Sequence, residues 1–108
     1  MPNITLFIPA AAMPSDEAVA DLSDRCALLC TGLLRAALAN VHVACVAVHH
    51  GRGHPVFADV RYRLEPFRTT AVMEAFMQGL EEAILHTLRL IPRIRCFGYA
   101  APNLHARN

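Results

Sequence analysis

Hydrophobic residues recur along the chain with two periods, one typical of strands and one typical of helices. Residues 3–8 are rich in β-branched and aromatic side chains and predict a strand that Pro9 closes. After Ser15, a residue suited to cap a helix, apolar side chains return every three or four positions. This spacing predicts a helix with one buried face that ends near Asn40. The Val-rich residues 41–49 predict a second strand.

The second half of the chain repeats this order. In residues 56–64 apolar and polar side chains alternate, which predicts a strand with one apolar face and one face that carries arginines. A second helix is predicted from Thr69 or Thr70 until Pro92 ends it. Residues 93–100 predict the last strand.

The order β-α-β-β-α-β predicts an α+β fold with a four-stranded mixed sheet and both helices on one face. The opposite face of that sheet has no helix to cover it. Because the sequence is rich in apolar residues, we expect another copy of the chain to cover this face. Two common folds share this element order, and the order alone does not choose between them.

Length and composition limit the classes of protein that fit. The chain has 108 residues, of which 55% are hydrophobic, and a formal net charge of +1. This length predicts a single domain, residues 1–108. No apolar run approaches a membrane span, and the balanced charge gives no reason to expect nucleic acid or an anionic membrane as partner. The first residues lack the features of a secretory signal, so we expect a cytoplasmic protein.

The cysteines and histidines are the residues that would point to disulfides or metals. Because we expect a reducing compartment, the four cysteines are predicted to be free, buried and packed as small hydrophobic side chains. The histidines concentrate in the turn after residues 41–49, as His49, His50 and His54. Adjacent strand residues point to opposite faces, so His49 and His50 do not favour one shared metal, and we predict no metal and no cofactor. They are interpreted either as polar turn residues or as substrate contacts.

Pro2 is the residue whose position is most unusual. Removal of Met1 would leave a secondary amine directly before a strand. The pKa of such an amine falls when nearby cations or an apolar pocket disfavour its charged form, and a base near neutral pH can move a proton next to a carbonyl. If Met1 is retained, the Pro2 nitrogen is an amide and has no basic lone pair. Position alone therefore leaves both interpretations of Pro2 open.

The sequence resembles the tautomerase superfamily, and within it the 5-carboxymethyl-2-hydroxymuconate isomerase group. The resemblance covers essentially the whole chain, through short motifs. The residues that carry it are Met1-Pro2 before a strand, Phe57, Arg63 and Arg68-Thr69 within the stretch 57–69, and the ending Asn103-Leu104-His105-Ala106.

The resemblance implies a cofactor-independent isomerase of aromatic catabolism that works as a homotrimer. Pro2 would be the general base that shuttles a proton in an unsaturated oxo or hydroxy dicarboxylic acid. Arg68 would hold a substrate carboxylate, as a guanidinium beside a helix N-terminus is suited to do, although a solvated or Glu-paired arginine is also compatible with the sequence. Arg63 and Arg61 could supply a second contact, and Tyr99 could line the pocket or pack in the core.

The sequence also departs from that group. An arginine that the group carries on the second strand falls here near Ala47, which has no charge. One carboxylate contact would then be absent, or supplied by His49, His50 or Arg52. The alternative function is a ferredoxin-like module that binds a small molecule and in which Pro2 is inert.

Overall fold

The computed structural model describes all 108 residues and has the predicted order of elements. The strands and helices are β1 (Asn3–Pro9), α1 (Asp16–Gly32), β2 (His42–Val48), β3 (Val56–Arg63), α2 (Thr70–Leu88) and β4 (Pro92–Tyr99). Short 3-10 turns occur at Ala10–Ala12, Leu38–Asn40 and Ala101–Asn103. Neither α-helix combines the length and the apolar character that crossing a membrane would need.

The four strands form one mixed sheet in the order β2-β1-β3-β4, which confirms the predicted architecture. β1 is parallel to β2, antiparallel to β3, and β3 is parallel to β4. In a ferredoxin-like split unit another strand lies between the two strands that a helix connects. Here each helix connects two neighbouring strands, so the ferredoxin-like fold is excluded.

Both helices begin at capped residues and cover the same face of the sheet. The side chains of Ser15 and Thr69 accept hydrogen bonds from the N–H groups of Ala18 and Val72, at 3.2 and 3.3 Å. Alternate residues of β1 and β3 face the helices, which places their apolar side chains in the core. The buried core consists of Ile4, Leu6, Ile8, Leu22, Cys26, Cys30, Leu34, Val56, Ala58, Val60, Tyr62, Met73, Phe76, Leu80, Ala83 and Ile84.

The predicted end of the first helix was wrong. α1 ends at Gly32 and not near Asn40, which lies in a separate 3-10 turn. The chain reverses at Arg35, whose φ of 53° is left-handed, and the N–H of Ala36 donates to the Cys30 carbonyl at 3.0 Å. Such a left-handed residue ends helices by turning the chain out of the helix. The early end leaves residues 33–41 free to return to the sheet.

The face of the sheet away from the helices is mixed in character. Apolar side chains on this face include Phe7, Val46, Val48, Phe57 and Phe97, and its charged side chains lie on the adjacent strands β3 and β4. The charged residues of this face are Asp59, Arg61, Arg63, Arg93 and Arg95. This open face therefore carries apolar and charged side chains together.

All four cysteines are free, but they are not equally buried. Cys26 and Cys30 lie in the core, whereas Cys45 and Cys96 are half-buried. The latter two lie on β2 and β4, the edge strands, where the helices cover the sheet less completely. Burial raises the pKa of the Cys26 thiol to about 12 and that of Cys96 to about 11, so these thiols favour the neutral form.

Candidate active site

The start of β1, the end of β3 and the end of α1 meet at one end of the molecule. Because β1 and β3 are antiparallel, the register pairs Asn3 with Arg61 and brings Pro2 beside the last residues of β3. Pro2 is fully buried, and its carbonyl accepts a hydrogen bond from the N–H of His42 at 3.1 Å. Pro2 is thus fixed at the start of the central strand.

A cavity of about 410 Å³ opens at this end, and we call it the amino-terminal cavity. Three arginines line it, Arg35, Arg63 and Arg68, and Glu65 is the acidic residue among the lining side chains. Its remaining lining residues are Met1, Ala36, Ala37, Asn40, Phe67, Ala106 and Asn108. A cavity with this excess of guanidinium groups favours an anionic ligand, and a carboxylate matches the guanidinium geometry.

Arg68 is held in place by the backbone. Its Nε donates to the Leu34 carbonyl at 2.9 Å, and its Nη1 donates to the Arg63 carbonyl at 2.6 Å. These two bonds join the segment after α1 to the end of β3, so part of the guanidinium has a structural role. The other N–H donors of the guanidinium do not hydrogen-bond to the protein and are available to a ligand.

Arg35 is a cavity residue that the sequence interpretation did not single out. Its guanidinium lies 5.0 Å from the centre of the Phe67 ring, and that of Arg68 lies 5.3 Å from the same ring. The predicted helix to Asn40 would have placed Arg35 inside a regular helix. Gly32, a poor helix former, was the available signal that the helix ends before Arg35.

The pKa of the buried Cys30 thiol shows which charges act at this end of the molecule. Burial raises the pKa of Cys30 to about 11, while the positive charges of Arg68 and of the chain's terminal ammonium oppose that rise. Both cations therefore act on the same region at the end of α1. Of these two cations, Arg68 would also act on a Pro2 amine, because positive charge near an amine disfavours its protonated form.

Tyr99 lies beside this cavity and outside its lining. It pairs in register with Arg63, and its hydroxyl accepts a hydrogen bond from Nη1 of Arg61. Arg61 also donates to both carboxylate oxygens of Asp59, at 3.1 and 3.3 Å, and lies 5.0 Å from the centre of the Phe97 ring. The hydrogen bond and charge of Asp59 raise the pKa of Arg61. Arg61 is thus already paired, unlike Arg63.

His49 lies at the other end of the sheet. β2 runs parallel to β1, so His49, which follows Val48, is separated from Pro2 by the length of the strands, roughly 20 Å for seven residues. Within one chain, His49 is therefore not brought to the cavity that Arg63 and Arg68 line. No three His, Cys, Asp or Glu side chains are grouped so that they could hold a metal ion.

Comparison with known proteins identifies the fold. No protein-family model matches the chain, and no curated protein matches its sequence. Native Ps01740 has a TM-score of 0.81 over 97% of this chain and 100% of its own, at 12% identity. Pt0534 inactivated by 2-oxo-3-pentynoate has a TM-score of 0.81 over 96% of this chain and 90% of its own, at 17% identity. W0 fused 4-OT, a symmetric trimer, has a TM-score of 0.81 over 98% of this chain and 94% of its own, at 14% identity. At these identities the likeness establishes the fold alone: the chain has the tautomerase fold.

Proposed function

We propose that the protein is a cofactor-independent isomerase that moves a proton in an unsaturated oxo or hydroxy dicarboxylic acid, as the 5-carboxymethyl-2-hydroxymuconate isomerase group does. Pro2 is the general base, and Arg68 and Arg63 bind substrate carboxylates. The observation that carries the proposal is the arginine-lined cavity at the start of β1, which Met1 lines. Pro2, the next residue, is buried and does not itself line this cavity. Inactivation of Pt0534, a protein of the same fold, by an unsaturated oxo acid supports this substrate class.

Processing of the chain is the first step of the proposed mechanism. Met1 lines the amino-terminal cavity, and Pro2 is buried behind it. Removal of Met1 opens the cavity toward the Pro2 nitrogen and converts that nitrogen from an amide to a secondary amine. The nearby guanidinium groups then disfavour the protonated amine, which lowers its pKa towards neutrality.

The reaction follows from these positions. A carboxylate of the substrate binds the guanidinium of Arg68, with Arg63 and Arg35 available for a second carboxylate or a carbonyl oxygen. The neutral Pro2 amine removes a proton from carbon next to the carbonyl, or from the enol oxygen, and returns it at another carbon of the conjugated system. The arginines stabilise the negative charge that develops on oxygen during this transfer.

The proposal includes a homotrimer in the cytoplasm, in a pathway of aromatic catabolism. The trimeric state of the W0 fused 4-OT, a protein of the same fold, supports the assembly. Tyr99 and His49, which lie outside the amino-terminal cavity of their own chain, would then act as substrate contacts only across a subunit boundary. Light scattering should give about three times the chain mass of 11.8 kDa. A monomer would contradict the assembly.

The function is tested in two stages. Intact mass of the purified protein should show the loss of Met1, and a retained Met1 would remove proline catalysis from consideration. Conversion of phenylenolpyruvate and 2-hydroxymuconate is then followed spectrophotometrically for the wild type, Pro2→Ala and Pro9→Ala. Pro2→Ala should lower kcat by about 10²-fold or more, the range expected for a lost general base. Pro9→Ala changes a proline at the other end of β1 and should keep full activity. Equal rates for all three proteins would reject proline catalysis, and no conversion by any of them would favour the alternative of a non-catalytic binding module.

A further inference from the structure

The two halves of the chain are built alike, and the likeness extends to their irregular residues. β1-α1-β2 and β3-α2-β4 each consist of parallel neighbouring strands joined by one helix. Ser15 and Thr69 cap the two helices in the same way, and each helix is followed by a left-handed arginine, Arg35 at φ 53° and Arg89 at φ 58°. Because β1 and β3 are antiparallel, the counterpart of the amino-terminal end lies at the opposite end of the sheet.

A proline also precedes the central strand at that opposite end. Pro55 comes directly before β3, as Pro2 comes directly before β1. The Pro55 nitrogen is bonded to the His54 carbonyl, so it is an amide and has no basic lone pair. The second end therefore repeats the architecture of the first without a group that could take a proton.

A second cavity, of about 430 Å³, opens at this end on the open face of the sheet, and we call it the distal cavity. Its lining contains four basic side chains, His50, Arg52, His54 and Arg93, and no acidic one. Its other lining residues are Phe7, Val48, Gly53, Pro55 and Phe57. Neither Arg52 nor Arg93 takes part in either of the two salt bridges of the chain, in contrast to Arg61. The positive charge of the distal cavity is thus not neutralised within the chain.

The apolar part of the distal cavity has a defined shape. The rings of Phe7 and Phe57 are nearly parallel, with 14° between their planes and 5.9 Å between their centres. The guanidinium of Arg93 lies 6.0 Å from the centre of the Phe57 ring. A cationic group and flat apolar rings therefore border one space, which suits a ligand with an anionic group attached to a flat apolar body.

The loop at the mouth of this cavity is fixed by its own contacts. The His50 ring, through Nε2, hydrogen-bonds the Gly53 carbonyl at 3.0 Å. Gly53 has a φ of 93°, which a residue with a side chain rarely adopts. This closed turn fixes the backbone that carries Arg52 and His54 before any ligand binds, which lowers the entropic cost of binding.

We infer that the distal cavity is a second, non-catalytic binding site for small carboxylates that carry a flat apolar group. Arg93 and Arg52 bind the carboxylate, and Phe7 and Phe57 contact the flat body. This inference rests on the distal residues alone and does not require that Pro2 be a base. The distal end of the sheet, which has no free amine for proton transfer, thus has a binding function only.

Benzoate is the probe that tests the inference. Titration of the ¹⁵N-labelled protein with benzoate should shift the backbone amide signals of Gly51 and Gly53 in the distal turn. Arg93→Gln should weaken this binding by about tenfold or more, the usual loss when a hydrogen bond to a charged group is removed. Arg95→Gln makes the same charge change on the same face of β4 but outside the cavity lining, and should leave the affinity unchanged.

Three results would overturn the inference. The first is the absence of benzoate-induced shifts at Gly51 and Gly53. The second is an equal loss of affinity in Arg93→Gln and Arg95→Gln, which would show a response to net charge alone. The third is binding of inorganic phosphate at the same signals as tightly as benzoate, which would remove the role of the two phenylalanines.

Arg52→Gln, in an exposed loop, repeats the test if Arg93→Gln fails to fold, and it should also weaken the binding of benzoate. Persistence of the shifts in Pro2→Ala separates this site from the proposed catalytic one.

Discussion

Arg35→Gly is a test of the cavity, and Arg89→Gly is its matched control. Together they separate the energetic cost of a strained backbone from the contribution of the Arg35 guanidinium to activity. Both arginines follow a helix and adopt nearly the same left-handed conformation, with φ of 53° and 58°. Arg35 lines the amino-terminal cavity, whereas Arg89 lies at the opposite end of the molecule beside Pro55. The backbone change is therefore the same in both variants, and only one of them alters the cavity beside Pro2.

The expected stabilities follow from the contacts of each residue. A left-handed conformation costs a residue with a side chain roughly 1–2 kcal/mol. Glycine removes this cost but loses about 0.5–1 kcal/mol through its greater freedom in the unfolded chain. Arg89→Gly should therefore raise the free energy of unfolding by about 0.5–1 kcal/mol. Arg35→Gly also loses the contact with the Phe67 ring at 5.0 Å. That contact is worth about 0.5–1 kcal/mol at an exposed position, so Arg35→Gly should leave stability nearly unchanged.

The activity should fall in Arg35→Gly and stay unchanged in Arg89→Gly. Loss of the Arg35 guanidinium should lower kcat/KM for a dicarboxylate by about 1.5–3 kcal/mol, roughly ten- to hundredfold, while Arg89→Gly should keep the wild-type value. Urea denaturation measures the stabilities, and steady-state kinetics of the enol-to-keto conversion measures the activities. Wild-type activity in both variants would show that Arg35 does not contact the substrate. Equal losses would show that a rigid turn after each helix, and not the guanidinium, is what activity requires.

Three further predictions concern the site, the packing and the thiols. Arg68→Lys keeps the charge but cannot reproduce the two hydrogen bonds to the carbonyls of Leu34 and Arg63. The free energy of unfolding should therefore fall by about 1–2 kcal/mol, and KM should rise. Unchanged stability in urea would refute the structural role of Arg68. Gly98→Ala should destabilise by about 1–3 kcal/mol, because the added methyl would approach the buried Tyr62 ring, while Gly51→Ala, which meets no atom, should not. The Cys26 thiol has its pKa raised from 9.0 to about 12, so the unfolded chain releases its proton first and stability should fall between pH 9 and pH 12. The slope is at most about 1.4 kcal/mol per pH unit for each such thiol, and urea titrations of Cys26→Ala should show a shallower decline than the wild type.

The order of elements and the two faces of the sheet were predictable because they depend on local patterns. Alternation in residues 56–64 identifies the strand β3 and its charged face, and helical spacing after Ser15 and Thr69 identifies both helices. The pairing of β1 with β2 and the exclusion of the split arrangement were not predictable from these patterns. Strand order depends on which edges meet across the core, and the element sequence is the same in both folds.

The candidate site was predictable only in part, for a similar reason. Pro2, Arg63 and Arg68 were singled out through their positions and the resemblance, and the structure places Pro2 beside the end of β3 and both arginines in one cavity. Arg35 enters that cavity because the chain reverses three residues after α1 ends, and this reversal has no strong sequence signal beyond Gly32. His49 was grouped with the site as a replacement for the arginine that the resembled group carries near Ala47, and strand direction places it at the far end of the sheet.

The repeated architecture explains why two similar ends of one sheet would carry out different chemistry. Each end has a proline before a central strand, a left-handed arginine after a helix and a cavity rich in cations. Cations at both ends attract carboxylates, so binding alone does not distinguish them. Proton transfer requires a lone pair on nitrogen, which an internal residue such as Pro55 lacks whatever its surroundings. Pro2 can acquire one by the loss of a single residue, Met1. The prediction that follows is specific: an unprocessed protein that retains Met1 should bind carboxylates at the distal cavity with unchanged affinity while showing no isomerase activity.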